Sequence, residues 1–174
     1  RHPHVFLEEK SNKDIKSIDK VLEKWENIKE RESGDKTRTD MMTDVPQAFP
    51  ALTRAVKVQK KAADVGFDWT DVSFAVEKVK EETRELIEAY NSEDSSSTMI
   101  TEELGDLLFS VVNVARFLKI DPEEALRMTT NKFIRRFSYV EHRSLACGRS
   151  LESMSLEDMD MLWDEAKELE KKYD

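Results

Sequence analysis

Apolar residues recur at steps of three and four between Asp14 and about Glu32, at Ile15, Ile18, Leu22, Trp25 and Ile28. That period lines one face of a helix. Residues 1–13 show no clear period, and 33–44 (S-G-D-K-T-R-T-D-M-M-T-D) are polar and unpatterned, which predicts a linker. A second helix is expected from Pro46 or Pro50 to about Val65, stopped by Gly66. The short aromatic loop G-F-D-W-T follows at 66–70. Thr70 or Asp71 caps a third helix to about Asn91, with Val72, Val76, Val79, Leu86 and Tyr90 inward. After a polar loop at 92–98, a fourth helix runs from about Met99 to Leu118 and is apolar on most sides. Asp121-Pro122-Glu123-Glu124 combines a cap, a first-turn proline and a capping acid, and opens a fifth helix to about Arg143. Ser155 caps a last helix with Leu156, Met159, Leu162, Trp163, Ala166 and Leu169 on one side. Nothing alternates with period two. The pattern predicts an all-α bundle around helices two to five, over 45–174, with a connector arm and one helix over 1–44.

Composition sharpens this. Four Gly and four Pro in 174 residues fall well below the usual share of about 12%, so turns are few and helices long. A sandwich or barrel of short strands is excluded, because it needs more turn residues. With 28 Lys and Arg against 37 Asp and Glu, the formal net charge is −9. That disfavours a binder of nucleic-acid polymers, but not of one phosphorylated ligand held through metal. A single cysteine, Cys147, excludes an internal disulfide and a multi-cysteine zinc site. No apolar run approaches roughly 20 residues, so no membrane span is expected and the cytoplasm is the expected location. The chain begins at Arg1 rather than Met and is expected to be a piece of a longer protein.

Two helices carry acids three residues apart, K-V-K-E-E-T-R-E-L at 78–86 and E-E-L-G-D-L-L-F at 102–109. In a chain this acidic, most glutamates form a solvated face. Angular position separates the exceptions. With Val79 at zero and about 100° per residue, the apolar stripe spans roughly −20° to 80°, and Glu82, Glu85 and Lys78 fall at about 300°, 240° and 260°, flanking it. Glu81 and Glu88 point outward. On the fourth helix, Glu103, Asp106, Ser110 and Asn113 form one polar seam on an otherwise apolar surface. A carboxylate there is costly unless it is paired or bound to a cation. The remaining alternative is a buried salt bridge, to Lys78 or an arginine. A hairpin across 92–98 puts both acid pairs at similar heights, about seven and five residues from the loop, at roughly 1.5 Å per residue. Gly105, costing about 1 kcal/mol inside a helix, predicts a close approach of backbone or ligand. Four such carboxylates, Glu82, Glu85, Glu103 and Asp106, make an oxygen-only site suited to Mg²⁺ or Mn²⁺.

Rival chemistries fit less well. No histidine lies near the acids for a di-iron E-x-x-H pattern, and His2, His4, His142 and Cys147 do not assemble a zinc site. Glycines at 34, 66, 105 and 148 make neither a P-loop nor G-x-G-x-x-G. Phosphate would therefore be held by metal and basic side chains. Phe133 and Phe137 of the fifth helix are expected to face the core, and Lys132 and Arg136 flank that stripe, either as snorkelling cations or as phosphate ligands. Lys78 is an ion-pair partner of Glu82 or a further phosphate ligand. Phe67, Trp69 and Trp163 are core plugs or a wall for a base, and for the first two the pattern favours plugs.

E-E-x-x-E followed 18 residues later by E-x-x-D resembles the all-α nucleoside triphosphate pyrophosphohydrolases, specifically the MazG family. The resemblance spans the chain. It includes R-H-P-H-V-F (1–6), V-L-E-K-W-E-N-I-K (21–29), V-P-Q-A-F-P-A-L (45–52), V-G-F-D-W (65–69), K-F-I-R-R-F (132–137) and W-D-E-A-K (163–167). It implies Mg²⁺ at Glu82, Glu85, Glu103 and Asp106, and cleavage of a nucleoside triphosphate to monophosphate and pyrophosphate. Lys78, Lys132 and Arg136 would then face phosphates, with Trp163 near the nucleotide. Phe67 and Trp69 are kept beside them as candidate substrate contacts on their aromatic character alone. The resemblance also implies a homodimer and an absent N-terminal MazG-type domain. Thr130 stands where the family pattern T-N-x-K-F places Asn. The alternatives are a non-catalytic helical dimerisation or partner-binding module, or a hydrolase of an alarmone nucleotide.

Overall fold

The computed structural model describes residues 36–171. The expected helix over 14–32 and the motifs at 1–6 and 21–29 lie outside them. The chain divides between Val45 and Pro46 into two units. In the first, α1 (Arg38–Thr43) occupies part of the expected linker. The Thr37 hydroxyl accepts from the Asp40 N–H at 3.1 Å, and the Asp40 carboxylate accepts from the Thr37 N–H at 2.8 Å. This reciprocal cap forms a short helix without an apolar stripe, which a search for hydrophobic period passes over.

The second unit holds α2 (Ala51–Ala63), α3 (Val72–Asn91), α4 (Ser97–Phe117), α5 (Pro122–Ala146) and α6 (Leu156–Glu170), with a 3₁₀ turn at Leu151–Ser153. The described residues contain helices and no strand, as the pattern predicts. Side-chain caps fix the starts of four helices. Asp71 accepts from Ser73 N–H, Ser96 from Met99 N–H, Asp121 from Glu123 and Glu124 N–H, and Ser155 from Asp158 N–H. Ser96 starts α4 two residues earlier than expected. Pro50 has no side chain to cap α2. Its part is taken by Glu123 of α5, whose carboxylate accepts from the Leu52 N–H at 3.2 Å. Gly66 ends α2 with φ +81°, a conformation that favours glycine.

α3 and α4 form a closely packed hairpin, α5 packs along α6, and α2 lies against α4 and α5. The buried positions of α3 are Ala75, Glu82 and Ala89, spaced by seven. The two alanines are small enough to let two helices approach, and Val76 and Tyr90, expected inside, lie at the exposed surface. Phe133 and Phe137 are likewise not core residues but exposed, at 55% and 42%. They stack on each other with centroids 6.1 Å apart, and Phe133 meets Trp163 at 5.0 Å. Leu156 is exposed as well. No described atom of this chain makes the close approach expected at Gly105, since a Cβ there would meet nothing within 4 Å. α2 is tied to α4 by Gln59, whose Nε2 donates to the Phe109 carbonyl at 2.8 Å. No described helix is long and apolar enough to cross a membrane.

Candidate metal and phosphate site

The polar seam of α4 meets the acidic flank of α3 across the hairpin. Glu82 and Glu85 stand one turn apart on α3, and Glu103 faces them from α4. One carboxylate oxygen from each lies within 4.8 Å of the others. Glu82 is 5% exposed, while Glu85 and Glu103 are half-buried. Asp106, one turn beyond Glu103, is exposed and stands outside this group.

Three carboxylates at this spacing repel one another, and Lys78 is a cation set against them. Lys78 Nζ lies 2.6 Å from Glu82 and 2.8 Å from Glu81. The hydrogen bonds to Glu81 and then Glu82 push the Lys78 pKa well up, so the ammonium stays charged. In this structure Lys78 is an ion-pair partner of the cluster. Glu85 has no such partner among the described residues. Burial first, and the nearby Glu82 charge second, raise its carboxyl above the usual range, with Lys78 opposing. A carboxylate held at a disadvantage in its charged form is relieved by a cation. The donor set is all oxygen, partly buried and net negative, and therefore fits a divalent Mg²⁺ or Mn²⁺.

Of the predicted substrate residues, Lys78 stands at these acids, whereas Lys132 and Arg136 line a separate cavity. That cavity, of about 510 Å³, is formed by α5 and α6, and no acid of the cluster lines it. Lys132 is exposed. Arg136 is engaged: its Nε and Nη2 lie 2.8 and 2.7 Å from Glu170 Oε2. Its guanidinium also sits 5.9 Å from the Trp163 ring centroid. Trp163 is half-buried between Arg136 and Phe133, a packing role between α5 and α6. The Thr130 hydroxyl donates to the Leu126 carbonyl of its own helix at 2.9 Å.

The aromatic loop is not a set of plugs. Phe67 is 83% exposed and Trp69 is also exposed. What holds the loop is Asp68, paired at 2.6 Å with Arg116 at the end of α4. Arg116 in turn donates to Asn113 Oδ1 at 2.9 Å. Asp68, Arg116 and Glu170 were not singled out from sequence. A separation of 48 residues leaves no local spacing that could reveal the first pair.

Residues 71–140 match the MazG nucleotide pyrophosphohydrolase domain. The nucleoside triphosphate pyrophosphohydrolase of Escherichia coli K12 is 39% identical over 170 residues, covering 98% of this chain and 63% of that protein. The nucleoside triphosphate pyrophosphohydrolase/pyrophosphatase MazG of Thermotoga maritima is 40% identical over 167 residues, covering 96% and 60%. The uncharacterized protein YabN of Bacillus subtilis is 51% identical over 174 residues, covering 99% of this chain and 34% of that protein. The chain thus spans about 60% of the first two relatives and a third of the last. The matched stretch contains Glu82, Glu85, Glu103, Asp106, Lys132 and Arg136, and over it this chain is similar to the MazG nucleotide pyrophosphohydrolase domain.

Proposed function

We propose that the chain hydrolyses nucleoside triphosphates between the α and β phosphates, using Mg²⁺, to give monophosphate and pyrophosphate with broad base tolerance. The observation that carries this is the convergence of Glu82, Glu85 and Glu103 from two helices onto one partly buried point. These three hold the cation, and Asp106, on the same face of α4 as Glu103, is the fourth ligand. When bound, the ion supplies Lewis-acid charge to the phosphate oxygens and acidifies a water. A carboxylate of the cluster orients the attacking water and takes its proton. The water oxygen bonds to the α phosphorus, and the bridging oxygen leaves with pyrophosphate. Lys78 pairs with Glu82 at 2.6 Å and balances part of the cluster's charge. Lys132 and Arg136 neutralise charge on the phosphates, while Phe67 and Trp69, exposed on a pinned loop, offer faces on which any base stacks.

The active form is a homodimer. Leu104, Leu108, Phe109 and Val111 of α4 and Leu126, Met128 and Ile134 of α5 are exposed. A second copy of the chain would cover such a surface. It would also bring cations to a cluster that one protomer leaves apart from its own α5–α6 cavity. The boundary near residue 45 separates a connector arm from this catalytic region.

The test is product identity from eight ribo- and deoxynucleoside triphosphates, with Mg²⁺ and with chelator. Equal monophosphate and pyrophosphate, across several bases, is the expected result. Diphosphate and orthophosphate would contradict the cleavage position. The exposed apolar surface also suits a non-catalytic partner-binding module, and folded dimer with no metal-dependent product at high protein concentration would establish that alternative. An alarmone pyrophosphate would be cleaved by the same groups and belongs in the panel as a ninth compound.

A further inference from the structure

Glu170, the last residue of α6, spans two guanidinium groups. Its Oε2 lies 2.8 and 2.7 Å from Arg136 Nε and Nη2, and its Oε1 accepts from Arg135 Nη2 at 3.3 Å. These are the donors that a phosphate would use, since a guanidinium fork receives carboxylate and phosphate oxygens alike. The fork is fixed in direction by Trp163 beneath it. Arg136 and Glu170 are both partly buried, at 20% and 29% side-chain exposure, so the pair is shielded more than an ordinary surface contact. Lys132, on the same cavity, has no ion-pair partner among the described residues. The cavity therefore combines one available cation with two cations already holding an anion that belongs to the chain. Being at the end of its helix, Glu170 can leave by opening only the final turn.

We propose that Glu170 is a built-in competitor for the phosphate-binding arginines, and that a polyphosphate binds by displacing its carboxylate from Arg136 and Arg135. The inference rests on the reading of Lys132 and Arg136 as phosphate ligands. It assigns Glu170 the opposite role from a positioning residue: the carboxylate sets a threshold that an anion must exceed. Apparent affinity is lowered by the fraction of molecules in which the arginines are occupied. An orthophosphate competes for one fork, whereas pyrophosphate can engage Lys132 and the arginines together.

The test is the dissociation constant of inorganic pyrophosphate, measured calorimetrically in chelator so that no turnover occurs. Glu170→Gln keeps the shape and removes the charge. It should bind pyrophosphate about two- to fivefold tighter than the unaltered chain, the range expected for releasing a partly shielded ion pair. Glu170→Asp keeps the charge on a shorter stem and should fall between the two. It carries the same sign if the glutamine variant melts too early to titrate. Asp158→Asn breaks the 2.7 Å pair with Arg149 at the other end of α6 and should leave the constant unchanged. In an Arg136→Gln background, Glu170→Gln should give no gain. Unchanged or weaker binding in Glu170→Gln would overturn the proposal, as would an equal gain in Asp158→Asn. The readout is independent of hydrolysis. Tighter pyrophosphate binding in a chain that hydrolyses nothing would contradict the enzyme reading and leave this one standing, while normal hydrolysis without the gain would contradict this one alone.

Discussion

Glu85 shows most plainly what the acidic cluster costs the protein. Its carboxyl is raised by burial and by Glu82. A raised carboxyl favours the folded state when protonated. That contribution is full below the unfolded value of about 4.3 and is lost as pH rises through the folded value. Glu85→Gln removes the loss. In chelator, its melting temperature should exceed that of the unaltered chain by a margin that widens from pH 4 to pH 7. In Mg²⁺ the order should reverse, because only the intact cluster gains stability by binding. Thermal melts in the two conditions check this, and equal melting of both chains throughout would count against a cation at Glu85. The placement of Glu82, Glu85 and Glu103 was legible from helix angles, because a polar seam on an apolar helix needs a partner. The Arg116–Asp68 pair and the Glu170 contact were not. Each joins residues far apart in sequence, and isolated charges on a charged chain carry no distinguishing pattern.

At the scale of elements, helix ends were legible where capping residues announce them, at Asp121 and Ser155. Interior packing was less so. Periodicity marks which face is apolar but does not say that two helices meet through their smallest residues. Ala75 and Ala89, on either side of Glu82, set the closeness of α3 to α4 and hence the spacing of the carboxylates. Ala75 is fully buried. Ala75→Leu should therefore lower stability by about 1–3 kcal/mol through overpacking. It should also weaken Mg²⁺ binding, although the site's own residues are intact. Denaturant unfolding and a Mg²⁺ titration of the same variant measure the two effects. Overpacking without any change in Mg²⁺ affinity would mean that the hairpin spacing does not set the site.

For the whole molecule, the expectation of Phe133 and Phe137 as core failed for a physical reason. The five longer helices among the described residues do not enclose every apolar face, and those on α4 and α5 stay outside. A second copy is the proposed cover. Sedimentation should give a mass of twice 20.3 kDa. Leu108→Glu, on the exposed side of α4, should yield a monomer that keeps its helical content and loses most hydrolysis. A monomeric unaltered chain with full activity would contradict that arrangement. The central claim is that the convergent carboxylates hold the ion on which hydrolysis depends. The measurement that tests it most directly is pyrophosphate release from a nucleoside triphosphate, titrated with Mg²⁺, by the unaltered chain and by Glu82→Gln. Saturable, Mg²⁺-dependent release that falls at least about a hundredfold in the variant is the predicted result. Release without Mg²⁺, or equal release by both chains, would contradict it.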